Sequence, residues 1–196
     1  IQELSEGVAS LVLDGRDEQN ALTLEFLADL ESALDRLEKE PRFRLLMIRS
    51  GKPYHFSVGM EASYVQSLTA EGWKEFCVRG QAFCLRLSRS RIVSVAVIGG
   101  LCLGAGLELA LACDYRVVVP NPKTALGFPE VEIGLIPSWG GTVRLPRKIG
   151  LDHAQQMILT GKRVSAHQAL KWGLADELIA EDNNEPPTFL DQPRKV

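Results

Sequence analysis

One carboxylate stands where burial would be most costly. Residues 92–113 read IVSVAVIGGLCLGAGLELALAC, and Glu108 is the single charged side chain in that apolar run. A glutamate there is either a structural acid paired to an arginine or a proton-transfer group with a shifted pKa. Gly104-Ala105-Gly106 lies just ahead of it. A helix beginning near Ala105 leaves its first backbone N–H groups without intrahelical acceptors, a ready site for negative charge. Two more acids, Glu130 and Glu132, follow Pro129 in FPEVEIG. Composition alone makes both of them loop acids, and most such acids are solvated. Phe128 and Val131 flank Glu130, so its carboxylate gains partial desolvation. Two carboxyls held close together cannot both ionise cheaply, and such a pair suits the uptake and return of a proton.

The elements that must position these groups follow from periodicity. Residues 92–113 admit three readings: a membrane-spanning helix, a dinucleotide-binding turn, or a buried strand, a glycine bend and a buried helix. Four glycines and a glutamate argue against the first. Leu109 stands where the dinucleotide fingerprint needs a small residue, which argues against the second. The third is adopted, with a strand over 93–98 and a helix from about Ala105. Upstream, 7–13 reads as a strand ended by a turn. Leu27, Leu30, Leu34 and Leu37 predict a helix over 23–39, and 45–48 is a short strand too unbroken to be half exposed. That strand–helix–strand order suggests a right-handed crossover. Residues 50–63 read as a loop after a parallel strand, where α/β folds place their chemistry. Trp73, Phe76, Cys77, Gly80, Cys84 and Leu87 predict a helix over 71–88, closed by Arg86, Arg89 and Arg91, which read as solvated surface. Further on come a strand over 114–119, a loop carrying Glu130, and a helix over 142–148. Two more helices are expected to be capped by Asp152 and Ser165, and a last short strand covers 176–179.

The chain has 196 residues and a net charge of −3. That length suits one core domain, 1–180, with a polar, proline-bearing tail or linker over 181–196. The charge gives no case for nucleic acid. The four cysteines form no C-x-x-C pair and sit in apolar surroundings, as expected of reduced thiols in a cytoplasmic protein. The three histidines are scattered, so no metal site is expected. No signal-peptide pattern opens the chain, which begins at Ile1 rather than at methionine, leaving room for a natural N-terminus upstream.

Several motifs agree in order and spacing with a known family. GGLCLGAGLELALACDYRVVV, continued by FPEVEIGLIPSWGGTVRLPR, resembles the crotonase family of enoyl-CoA hydratases and isomerases, and the likeness runs from about residue 8 to residue 179. It implies an α/β fold, a crotonase-like spiral of repeated ββα units with a parallel sheet packed by helices. It also implies hydration of a trans-2-enoyl-CoA, with CoA as part of the substrate and no separate cofactor. In that pattern Glu108 and Glu130 are the catalytic acids and Glu132 is surface. The backbone N–H groups of Met60 and Ala105 form the oxyanion hole, and Val58, Gly59, Gly104, Pro137 and Ser138 contact substrate. Glu61 replaces the family's usual aspartate, the basic residue often found soon after is absent, and Ala105 replaces a glycine. The alternatives are an enoyl-CoA isomerase or other CoA-thioester reaction, or a catalytically silent binding or scaffold module. Membrane insertion is not expected. The family's C-terminal helices support trimers, so a homotrimer or hexamer is expected, weakened if those helices are absent. The chain's ending resembles the linker that leaves the hydratase part of multifunctional fatty-acid oxidation proteins.

Overall fold

Short apolar strands and amphipathic helices alternate along the chain. In the computed structural model, which describes residues 1–179, they build two sheets set among helices. β1 (Gln2–Ser5) pairs antiparallel with β2 (Val8–Leu13). α1 (Leu24–Lys39) follows, capped by Thr23, whose hydroxyl accepts the Phe26 N–H at 3.1 Å. Its Leu27, Leu30, Leu34 and Leu37 are all buried, as the 3.6-residue period requires. β3 (Leu45–Ser50) then lies parallel to β2.

Next come β4 (His55–Ser57), α2 (Ala62–Ser67), α3 (Ala70–Arg89), β5 (Val93–Ile98), β6 (Leu101–Leu103) and α4 (Ala105–Ala112). The remainder is β7 (Tyr115–Val118), β8 (Ala125–Gly127), a 3₁₀ turn (Pro129–Ile133) and α5 (Gly141–Ile149). It ends with α6 (Leu151–Thr160), β9 (Arg163–Ser165), α7 (Ala166–Trp172) and β10 (Glu177–Leu178).

The larger sheet has the order β1-β2-β3-β5-β7-β10 and the smaller one β4-β6-β8-β9. Each of the pairs β3/β4, β5/β6 and β7/β8 sends its first strand to the larger sheet and its second to the smaller. Within each sheet these strands are parallel neighbours. A helix or a 3₁₀ turn follows each pair, so the ββα repeat expected from the family likeness is present. α4 sits in the middle with all eight residues buried, which is why its sequence is apolar on every side.

Several local expectations are corrected. β1, β6 and β8 are strands that residue patterns did not reveal, and the 50–63 loop contains β4. β3 alternates in burial: Leu46 and Ile48 are inside, while Leu45 and Met47 are half-buried on the opposite face. Gly150, not Asp152, is the N-cap of α6, and Asp152 lies in its first turn. Ser165 does cap α7, accepting the Gln168 N–H. Arg86 pairs with Asp35 and Glu38, and Arg91 donates to the Glu38 and Glu40 carbonyls at the end of α1. They tie α3 and the chain after it to α1 instead of standing free in solvent. All four cysteines are free thiols. Among the described residues no cluster suits a metal ion, and no helix is long and apolar enough to cross a membrane. The expected tail over 181–196 lies outside the described residues.

Candidate active site

The smaller sheet sets the site. Its strands β4, β6 and β8 are adjacent and parallel, so their C-terminal ends come together. Three segments leave those ends: Val58-Gly59-Met60 after β4, Gly104-Ala105 after β6, and Phe128-Pro129-Glu130 after β8. Ligand sites at the carboxyl ends of parallel strands are the rule in α/β sheets.

Two glycines permit the close approach. Gly59 has φ +76°, and a Cβ there would lie 2.7 Å from the Ala105 nitrogen and 2.8 Å from the Leu103 oxygen. The backbone carrying the Met60 N–H therefore abuts the start of α4. Gly104 has φ +53°, and a Cβ there would lie 3.1 Å from Glu130 Oε1. Glycine adopts this positive φ without strain and leaves that carboxyl its place over the mouth of the helix.

Asn20 braces the β4 loop from behind, and the sequence reading had not singled it out. It is fully buried at φ +52°, a left-handed conformation that asparagine tolerates better than most residues. Its amide donates to the Leu13 carbonyl, the Phe56 carbonyl and Ser50 Oγ, and it accepts the Gly15 N–H. Ser57 completes the brace: its hydroxyl donates to the Asn20 carbonyl and accepts the Gly59 N–H. An Asn in the polar turn 14–20 is the only signal the sequence offered.

Val58, Met60, Gly104, Ala105, Glu108, Glu130 and Ser138 line one cavity of about 170 Å³. Two of the anticipated substrate-contacting residues are placed differently. Gly59 stands behind the cavity wall, and Pro137 lines a neighbouring open cleft of about 850 Å³, which Ser138 shares. That larger cleft holds neither glutamate. Glu132, expected at the surface, is exposed and 3.9 Å from Arg163, yet it also borders the cavity that Glu108 and Glu130 line.

The two carboxyls have different surroundings. Glu108 is fully buried in the first turn of α4. Its Oε1 accepts the Trp139 and Gly141 N–H groups at 2.7 and 2.6 Å, and its Oε2 accepts the Ser138 N–H at 3.2 Å. Burial pushes its pKa up to about 7, while these three donors and the Arg144 guanidinium pull the other way. The structural alternative, a direct pair with an arginine, is therefore replaced by a backbone cradle. Glu130 sits in the 3₁₀ turn, and its Oε2 is buried with no hydrogen-bond partner among the described residues. Burial pushes this carboxyl to about 7 as well, opposed by a backbone hydrogen bond and reinforced by the Glu108 charge. Burial is thus the main cause of both shifts, and the Glu108 charge adds to that of Glu130.

The sequence profile of the enoyl-CoA hydratase/isomerase family matches residues 3–187. The chain belongs to that family. It is 41% identical over 183 residues to the fatty acid oxidation complex subunit alpha of Shewanella loihica, a match that takes in 92% of this chain. The chain spans only 26% of the length of that relative. Among solved structures it is similar to an enoyl-CoA hydratase of Bacillus anthracis, at TM-score 0.86 and 28% identity, covering 91% of this chain and 69% of that one. It is also similar to the human mitochondrial delta3-delta2-enoyl-CoA isomerase, at TM-score 0.83 and 30% identity, covering 89% and 67% respectively. The fold is thus the crotonase fold.

Proposed function

We propose that the protein adds water across the 2,3-double bond of a trans-2-enoyl-CoA, with CoA as part of the substrate and no separate cofactor. The observation that carries this reading is the pair Glu108 and Glu130 lining one small cavity beside the start of α4. The thioester oxygen takes hydrogen bonds from the Met60 and Ala105 N–H groups, and the dipole of α4 adds to the second. Water adds its oxygen at C3. Glu108, whose oxygens are held by three backbone donors, orients the water in its ionised form. Glu130, with a free buried oxygen, accepts the water proton and returns a proton to C2.

Incubation with crotonyl-CoA tests this by loss of the enoyl-thioester absorbance at neutral pH. Binding of the thioester with no turnover would favour a silent module instead. A second reading, isomerase, has support in the lone unpartnered oxygen of Glu130, since shuttling a proton between C2 and C4 needs one well-placed base. Conversion of a 3-enoyl-CoA by a protein inert toward crotonyl-CoA would favour it. Apolar side chains rim the larger cleft, with Ile136 67% exposed and Val143 and Leu85 also exposed. Exposed apolar surface of this kind supports self-association, a homotrimer or hexamer, which sedimentation would measure.

A further inference from the structure

α3 supplies no acid and no oxyanion donor, yet it holds the cradle around Glu108. Trp139 belongs to the loop whose Ser138, Trp139 and Gly141 N–H groups grip that carboxylate. Its indole is fully buried, 4.9 Å from the Phe76 ring of α3, and lies directly over Gly80. A methyl group on Gly80 would overlap indole atoms Cε2 and Nε1, so the notch in α3 exists only because residue 80 has no side chain. The indole Nε1 is buried with no hydrogen-bond partner among the described residues, so shape rather than a polar contact seats the ring. The loop is also fixed through its carbonyls. Gln81 donates to the Ser138 oxygen at 2.8 Å and Arg144 to the Trp139 oxygen at 2.9 Å.

We propose that Trp139, seated in the Gly80 notch of α3, is a positioning residue that keeps the Ser138–Gly141 N–H groups aimed at Glu108 and so keeps that carboxylate ionised for the reaction. The inference rests on the hydratase reading for its role, but the cradle itself does not depend on it. Backbone donors favour the anion, so loosening them favours the protonated acid. Arginine is no substitute for the cradle, because Arg144 acts on Glu108 through space and its own hydrogen bond goes to the Trp139 carbonyl. The other ionisable groups facing Glu108 are Glu130, Cys77 and Cys84; their anions would oppose its charge.

Gly80→Ala is the first test, because alanine is the better helix former and any loss then comes from the indole. The acid limb of the kcat/KM profile on crotonyl-CoA should move up by about one pH unit or more, a tenfold or greater change in the proton affinity of Glu108. KM should change little. Trp139→Leu, which keeps the backbone N–H but leaves the notch unfilled, should move the limb the same way. Gln81→Leu, at an exposed position, should shift the limb the same way by less and serves if Gly80→Ala does not fold. Carbon-13 carboxyl titration of Glu108, assigned with Glu108→Gln, gives the same shift directly. It stands even if no hydration is found, so failure of the hydratase reading is told apart from failure of this one. An unmoved Glu108 titration in folded Gly80→Ala, or in Gln81→Leu where Gly80→Ala is unfolded, overturns the proposal. So does an unmoved Glu108 titration in folded Trp139→Leu.

Discussion

The two sheets differ in length, burial and consequence. The larger one is built from five strands of four to six residues with the two-residue β10 at one edge, and its inner face supplies Ala9, Leu11, Leu46, Ile48 and Ala96 to the core. The smaller one has four strands of three residues each, and the site segments leave the C-terminal ends of three of them. Both sheets feed one core, the smaller through Phe56, Cys102, Leu126 and Val164, but only the smaller leads into the candidate site. A strand of three residues cannot be stable alone; β4, β6 and β8 are held by the ββα repeat and by α4, where a Cβ on Gly106 would lie 2.6 Å from the Ser57 carbonyl oxygen.

Variants that strike one sheet and spare the other sharpen this contrast. Among backbone donors, the large effect on rate is expected from Ala105→Pro. Proline is tolerated at the first position of a helix, so α4 should persist while the donor is lost. Hydration should fall by about 10²–10³-fold with little change in far-ultraviolet circular dichroism. Retained turnover in a folded Ala105→Pro would remove this N–H from the site. In the larger sheet, Leu46→Ala should have the converse signature. It should lose about 2–5 kcal/mol of unfolding free energy in urea, yet turnover per folded molecule should stay within about threefold, about 0.7 kcal/mol on the rate scale.

A third, smaller effect sets the active-site carboxyls against stability. Both are raised from an ordinary 4.5 to about 7. Below pH 4.5 each is protonated in the folded and unfolded chain alike. As pH rises through about 7 the unfolded chain has already released its proton and the folded chain must follow at a cost. The stability present at low pH is therefore lost across that window. Glu130→Gln should remove its share, raising stability at pH 8 by roughly 2–3 kcal/mol and leaving it unchanged at pH 4. Urea midpoints at the two pH values would show it, and an equal shift at both would mean that Glu130 acts by packing. The smallest effect belongs to Met60→Ala. If only its backbone N–H faces the thioester, the rate should hold within about threefold, under 1 kcal/mol; a hundredfold loss would assign the side chain a role.

The same contrast explains what could be read from residues alone. α1 and α3 were legible because Leu27, Leu30, Leu34 and Leu37, and Phe76, Gly80, Cys84 and Leu87, repeat at helical spacing over about three turns. β2, β5 and β7 were legible as apolar runs. β6 and β8 were not, since Leu101-Cys102-Leu103 and Ala125-Leu126-Gly127 are too short to carry a period of two. Glu108 announced itself as the lone charge in an apolar run, and its selection needed no fold. Glu130 could not be told from Glu132 by composition, because both stand in one turn with similar neighbours. What separates them is tertiary: Glu130 lies over Gly104, and Glu132 faces solvent near Arg163. The cradle around Glu108 was hidden for the same reason. Its donors are backbone groups about thirty residues away, and nothing in the side chains of Ser138 or Gly141 advertises them.

The central claim is that two differently held carboxyls share one water, Glu108 orienting it and Glu130 exchanging its proton. Its most direct measurement is the hydration rate of crotonyl-CoA by Glu108→Gln, Glu130→Gln and the double variant. Each single change should lower the rate by about 10²–10⁴-fold, the range of general acid–base catalysis. The double variant should be little worse than either, because groups that act as a unit are not additive. Normal hydration by Glu108→Gln alongside a dead Glu130→Gln would contradict the claim and leave Glu130 as the single acid–base group.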